Sequence, residues 1–363
     1  MGIHVEMKTA RTLDASERAT WQQIQAETPA LASPYFALDY FDAVAAVRSD
    51  VRVIVERHNG TPRAFLPLQI GLMGHARPLG GPLCDHHGVI ASPGCDVDLA
   101  AMLRAGGVSV FDFHGLVGTA HAGQGVSVTD TDGSWVADLS AGLAAFKARQ
   151  KKPGGNTFRT LFAARRKLAE TGADMRFTFD DRRGDVLDQL MAWKSAQYGA
   201  SGHFDVFSVG WTRALLGVLQ AKGPQASARG IVSSLEVDGR LVAAHFGMMG
   251  DRAMHYWFPV YDPQMAKAAP GNVLLDFMLE ALCERGICEL HLGPGDYRYK
   301  GALGSWQMPL KSGYAAVSGP AATLRWAAHA LEHTAEALPL GPASRLPGKA
   351  FRRIDQMTGF RAA

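Results

Sequence analysis

The chain is poor in several features that would each have fixed a class. Its four cysteines, Cys84, Cys95, Cys283 and Cys288, show no paired-ligand spacing. Two of them fall in a predicted core helix and strand, and the thiols read as free in a reducing compartment. No run of about 18 apolar residues occurs anywhere, so a spanning helix is excluded. The opening Met1-Gly-Ile-His-Val-Glu-Met-Lys8 lacks the apolar stretch of a signal peptide, and a soluble, cytoplasmic protein is expected. Charge of one sign is also scarce: the net charge is +3 and the pI about 8.6, too mild to point to nucleic acid, and no DNA partner is expected.

What is present is ordinary globular material. With 363 residues, 47% hydrophobic and 20% charged, the chain can fill two cores. The cationic surplus is local. From Ala321 onward, Arg325, Arg345, Lys349, Arg352, Arg353 and Arg361 face only Glu332, Glu336 and Asp355, an excess equal to the whole net charge. A second basic run, Lys147 to Lys167, lies mid-chain.

Two segments repeat one order of elements. Val51 to Glu56 and Arg63 to Leu72 read as strands joined at His58-Asn59-Gly60, because Asn-Gly tolerates positive φ at both turn positions. A Gly/His-rich loop from Leu79 to Gly88 and a strand come next. Pro93-Gly94 then leads to a helix ending at Gly106-Gly107, and Val108 to Phe113 is a strand. Further on, Gly230 to Val237, a turn at Asp238-Gly239, Leu241 to Met249, Met254 to Val260, Pro270-Gly271, a helix, Gly286 and Ile287 to Leu292 repeat that order. Between them stand a strand at Trp135 to Leu139, a basic helix Thr157 to Ala169, a strand Met175 to Phe179 and helices through Trp193 and from Trp211. Trp306 to Val317 reads as one more extended strand or strand pair. The expected fold is α/β (α+β), with tandem duplicated units of mixed, mostly antiparallel sheet flanked by helices. The expected division is 1–140, a linker 141–156, a second unit 157–318 and a basic tail 319–363.

The stretch Lys267 to Lys300 carries the clearest functional pattern. It reads as loop, helix, strand and polar loop, the helix opening at Pro270-Gly271. Unpaired N–H groups at a helix start beside a strand end favour an anion such as a pyrophosphate. A buried helix that binds nothing is the plainer alternative.

The order of Ser33-Pro-Tyr-Phe36, Phe65-Leu-Pro-Leu68, Leu79-Gly80 with Asp85-His-His-Gly88, Arg165-Arg-Lys-Leu168, Pro270-Gly-Asn-Val-Leu-Leu275 and Gly293-Pro-Gly-Asp-Tyr-Arg-Tyr-Lys300 resembles the GNAT (Gcn5-related) acyltransferases. It is more similar to the CelD-type (cellulose or exopolysaccharide biosynthesis) acetyltransferase subgroup, whose double-GNAT layout is similar to that of Fem aminoacyl transferases. The resemblance implies transfer from acetyl-CoA, or another acyl-CoA, to an amino sugar of a polysaccharide precursor, with no metal. It implies a donor cradle at Lys267, Pro270, Gly271, Asn272 and Val273, although only Gly271 stands where several glycines are usual. It implies chemistry at Lys300 as oxyanion donor, Tyr299 or Tyr297 as proton donor to the leaving thiolate, and Asp296 as the residue that positions the acceptor or takes its proton.

His245, mid-strand, is a further candidate base, a satisfied core histidine being its other reading. Lys194 and Gln197, about one turn apart, could contact the acceptor, as could Asp85, His86, Tyr256 and Tyr297. Asp85-His86-His87 suits a substrate-shaping loop better than a metal site, since no third ligand has helpful spacing. The arginine-rich tail could bind a cyclic dinucleotide such as cyclic di-GMP, or another anionic partner, including an inner-membrane surface. Two rival functions stand beside this one: a Fem-like aminoacyl transferase, and a catalytically silent GNAT-like regulator.

Overall fold

The computed structural model describes residues 2–118, 125–151 and 156–317, together with Gly319, Ala322, Thr323, Arg325, Ala327, Gly359 and Phe360. Most of the basic tail, including Arg345, Lys349, Arg352, Arg353 and Arg361, lies outside the described residues.

In chain order the elements are β1 (Ile3–Lys8), α1 (Ala15–Glu27), α2 (Leu38–Val47), β2 (Val51–His58), β3 (Thr61–Ile70), β4 (His75–Pro78), β5 (Ile90–Ala91), α3 (Leu99–Ala105), β6 (Val110–Val117) and β7 (Val126–Asp138). Then come α4 (Gly142–Gln150), α5 (Asn156–Glu170), β8 (Met175–Thr178), α6 (Gly184–Ser201), α7 (Gly210–Ala221), β9 (Arg229–Val237), β10 (Arg240–Met249), β11 (Ala253–Tyr261), α8 (Pro270–Glu284), β12 (Glu289–Pro294), α9 (Arg298–Leu303) and β13 (Trp306–Ala316). The chain divides into two compact units that interleave in sequence, one of Met1–Leu31, Phe41–Asp132 and Pro309–Ala363, the other of Ala32–Tyr40 and Gly133–Met308.

In the first unit β1, β2, β3 and β4 pair antiparallel in that order, β5 adds to β3, and β6 pairs parallel to β4 and antiparallel to β13. Asn59 and Gly60 at φ 52° and 84° make the tight turn read from the sequence. Trp21 of α1 lies against Phe41 and Phe65, with ring centroids at 5.3 and 5.2 Å. α1 is held at its start by a reciprocal cap, the Asp14 carboxylate accepting from Glu17 N–H and Glu17 from Asp14 N–H.

The second unit repeats the scheme. β8, β9, β10 and β11 pair antiparallel in order, β12 is parallel to β11, and β7 closes antiparallel on β12. Each unit therefore has, among its described residues, one parallel strand pair, joined across α3 or α8, as an α/β crossover demands. Alternation along the strands sorts the two faces. Ile231, Leu235, Ala243, Met254 and Tyr256 join Val273, Leu274 and Met278 of α8 in one core. A Cβ at Gly230 would instead meet Phe246 and the α7 backbone.

Three readings are corrected. The last core strand is Glu289–Pro294, two residues later than expected, because Cys288 N–H is drawn to the Arg252 carbonyl and Cys288 O to Leu139 N–H before pairing begins. Asp296 to Lys300 is no open loop, since Arg298–Leu303 closes into a short helix. Pro93-Gly94 does not match Pro270-Gly271 in detail: α3 starts at an Asp98 side-chain cap, whereas Pro270 is itself the first residue of α8. Within 141–156, where Leu143 to Lys152 reads as a short helix or linker, Gly142–Gln150 forms α4, whose Phe146 is buried.

Candidate functional site

β11 and β12 pair only from Ala253 to His255 against Glu289 to His291. Beyond those residues both strands continue, to Tyr261 and to Pro294, without each other as partners. Bulges accompany the parting, one between Phe246 and Met248 in the β10 ladder and one between His291 and Gly293 in the β12 ladder. An extra residue bends a strand and re-aims the side chains beyond it. The opening thus lies at the carboxyl ends of two parallel strands, the end at which open α/β sheets bind ligands.

Each parted strand holds one lysine on a backbone carbonyl past the last residue at which β11 and β12 pair with each other. Lys194 of α6 donates from Nζ to Pro259 O of β11 at 3.2 Å and to Gln197 Oε1 at 2.9 Å. Lys300 of α9 donates to Pro294 O of β12 at 2.6 Å. Lys300 is buried, with its Nζ 5.2 Å from the centre of the exposed Tyr297 ring. Burial lowers the Lys194 pKa to about 8.

A line of rings joins the two lysines. His245 of β10 stacks on Tyr256 of β11 with centroids 4.2 Å apart and planes at 11°. Neither His245 nitrogen has a hydrogen-bond partner among the described residues, and the ring is fully buried. Burial, and next the charges of His255 and Lys194, push its pKa well below the ordinary value, so the imidazole stays neutral. The Tyr256 hydroxyl is pushed up by burial and by Tyr299, and Tyr299 in turn by burial and Tyr297. Tyr297 and Tyr299 lie 6.2 Å apart by ring centroids. Of the residues singled out from the sequence, Lys194, Gln197, His245, Tyr256, Tyr297, Tyr299 and Lys300 are thus brought into one continuous group, while Asp296 is exposed beside it.

α8 begins where β11 delivers the chain through a 3-10 turn, Pro263–Ala268. Ala269 is left-handed at φ 50°, and Pro270 occupies the first helical position. Asn272 N–H and Val273 N–H both return to Ala269 O, at 2.9 and 3.3 Å. With Pro270 lacking an N–H, Gly271 carries the first-turn donor that the expected cradle would use. Lys267 is exposed at the end of the 3-10 turn and Val273 is buried in the core. Two groups there escaped the sequence reading: the exposed Tyr261, whose Cδ1 would lie 3.4 Å from a Cβ on Gly271, and the Pro259 and Pro294 carbonyls. Side-chain types carry no signal for either carbonyl.

Asp85 and His86 belong to the first unit. There the loop after Leu83 lies along β6: His87 N–H donates to Gly115 O, Val117 N–H donates to His87 O, and Asp85 O would stand 2.3 Å from a Cβ on Gly115. Only glycine admits that approach, and Gly115 takes φ 67°. The basic helix α5 is engaged within its own unit. Arg165 reaches Glu280 at 2.7 Å and covers the Phe277 ring at 3.5 Å, while Lys147 of α4 reaches Asp276 at 2.7 Å. No helix among the described residues is long and apolar enough to cross a membrane.

No curated protein matches the sequence. Among solved structures, the C-terminal domain (DUF2156) of a putative lysylphosphatidylglycerol synthetase from Agrobacterium fabrum is similar over 85% of this chain and 94% of its own, at 14% identity and a TM-score of 0.52. L-PGS from Bacillus licheniformis is similar over 85% and 95%, at 12% identity and 0.51, and FemX over 76% and 90%, at 8% identity and 0.51. At these identities the likeness is one of fold. Residues 155–301, from α5 through the parted strands into α9, match the family described as the acetyltransferase (GNAT) domain.

Proposed function

We propose that the chain is an acyl-CoA-dependent N-acyltransferase of the CelD type, transferring an acetyl group to an amino sugar used in exopolysaccharide or envelope polysaccharide synthesis. The observation that carries this reading is the parting of β11 from β12 directly before α8 in the segment that matches the GNAT family. A thioester laid between the strands would have its pyrophosphate toward the Gly271 N–H and its carbonyl toward the buried Lys300 ammonium. A hydrogen-bond donor already in place favours the oxyanion that forms when an amine attacks. Tyr299, with its pKa raised, keeps its proton at neutral pH and serves the departing sulfur as a hydrogen-bond donor. Asp296, Tyr297 and Gln197 stand at the exposed rim, where an acceptor would be met.

In this reading the second unit is catalytic and residues 319–363 form a tail open to an anionic partner such as a cyclic dinucleotide. The testing experiment is calorimetric titration with acetyl-CoA, and then thiol release in the presence of glucosamine. Micromolar binding and acceptor-dependent thiol release are expected. Absence of acetyl-CoA binding would remove the reading and turn attention to an aminoacyl-tRNA donor or to a non-catalytic role.

A further inference from the structure

Two lysines flank the parted strands, and their surroundings differ in a way that divides the chemistry between them. Lys300, buried on the Pro294 carbonyl, has only to donate a hydrogen bond to the developing oxyanion. Lys194 is set up otherwise. It lies half-buried on α6, and no carboxylate pairs with it among the described residues. Its two hydrogen bonds, to Pro259 O and Gln197 Oε1, satisfy the two N–H groups of a neutral amine and leave the lone pair unused. A charged Lys194 would have a third N–H to place.

The groups that face it are few. From β11 comes the Pro259 carbonyl, from β10 the buried His245 ring, and from its own helix Gln197 and the Tyr198 ring at 5.3 Å. The nearby carboxylate of Asp205 is taken by Ser195 Oγ at 3.1 Å and Phe207 N–H at 2.9 Å. His245 is poorly suited to receive a proton: it is sealed from solvent, stacked on Tyr256, and repelled by Lys194 whenever that residue is charged.

We propose that Lys194, in its neutral form, is the catalytic residue that takes the proton from a primary-amine acceptor. The proposal rests on the acyl transfer proposed above. The acceptor enters as an ammonium with three protons. One passes to the Lys194 lone pair; the amine nitrogen then bonds to the acyl carbon and the carbon–sulfur bond breaks. A second proton ends on the departing thiol and the third stays on the amide, while Lys194 returns its own to solvent. His245 supports this by keeping a neutral ring beside the amine. The depressed pKa, about 8, places Lys194 near the range in which amine acceptors themselves titrate, where proton exchange between the two is close to balanced.

The test uses the full chain labelled with carbon-13 lysine, acetyl-CoA as donor and glucosamine as the acceptor probe. One lysine Cε resonance, absent from Lys194→Met, should titrate near 8 rather than near the ordinary value of about 10.4. Native kcat should rise with pH through that same midpoint. Lys194→Met and Lys194→Arg should lose about 100- to 10,000-fold in kcat and lose the pH limb. Both should melt like the native protein and bind acetyl-CoA unchanged, which separates loss of the base from loss of the fold. A Lys194 resonance titrating near its ordinary value, or a Lys194→Met enzyme that keeps the rate and the limb, would overturn the proposal while leaving acyl transfer intact. Failure of the native protein to bind acetyl-CoA, or to transfer from it, would instead sink the reading beneath it.

Discussion

A side chain at Gly271 tests the donor cradle at the point where geometry separates binding from folding. Gly271 sits in the first turn of α8 with ordinary helical φ, and a Cβ there would approach nothing closer than Tyr261 Cδ1 at 3.4 Å. Gly271→Ala therefore costs no clash, and helix propensity should raise stability by up to about 1 kcal/mol. Gly271→Trp is accepted by the backbone in the same way, yet its indole would fill the space in front of the helix end. A charge-assisted hydrogen bond to phosphate contributes roughly 1.5–3 kcal/mol. The helix terminus contributes about 0.3–1 kcal/mol more. Blocking both should weaken acetyl-CoA by about 2–4 kcal/mol, or about 30- to 1,000-fold in Kd. Calorimetry on native, Gly271→Ala and Gly271→Trp proteins, each with a thermal melt, reads this directly. Native-like affinity in the tryptophan variant, with its melt unchanged, would refute the placement of the pyrophosphate at α8.

Other outcomes depend on packing and charge. Gly247 lies where a Cβ would stand 2.5 Å from His245 Cε1 and 2.7 Å from His255 O, so Gly247→Ala should destabilise the protein by about 1–3 kcal/mol in urea unfolding. An unchanged midpoint would mean that β10 and β11 yield more easily than the close contacts imply. Asp112 in the first unit is bonded by His75 Nε2 at 2.6 Å and Arg325 Nε at 2.7 Å. Burial pushes its carboxyl up, but the His75 and Arg325 contacts outweigh that and hold it below the ordinary value. A depressed carboxyl contributes stability that is fully present above the unfolded pKa of about 3.9 and is lost as pH falls through the lower folded value. Asp112→Asn should accordingly flatten the acid limb of stability below about pH 4, and an identical limb in both proteins would count against this ion pair as its source.

The order of elements was legible in the sequence because it depends on local rules. Asn59-Gly60 and Asp238-Gly239 fix hairpins through backbone conformations open to few residues, and Pro270 and Gly286 bracket a helix through the same kind of constraint. Spacing also singled out Lys194 with Gln197, strand position singled out His245, and the family resemblance singled out Tyr299 and Lys300. The sequence missed the strand limits at Glu289–Pro294 and the folding of Arg298–Leu303 into a helix. The first is decided by what the chain meets, since Arg252 and Leu139 capture Cys288, whereas the second rests on local bonds, Lys300 N–H to Tyr297 O and Lys300 Nζ to Pro294 O.

Composition and periodicity by themselves determined two α/β copies, a helix opening at Pro270-Gly271 and a set of candidate polar residues. Only the tertiary structure decided that β11 and β12 separate after three paired residues and that each then offers a carbonyl to one lysine. It alone showed Lys194 half-buried with no carboxylate partner among the described residues, Lys300 buried on the Pro294 carbonyl, and His245 held neutral by burial. Those differences reside in desolvation and in neighbours supplied by other elements, which depend on distances in space that residue order along a chain does not encode.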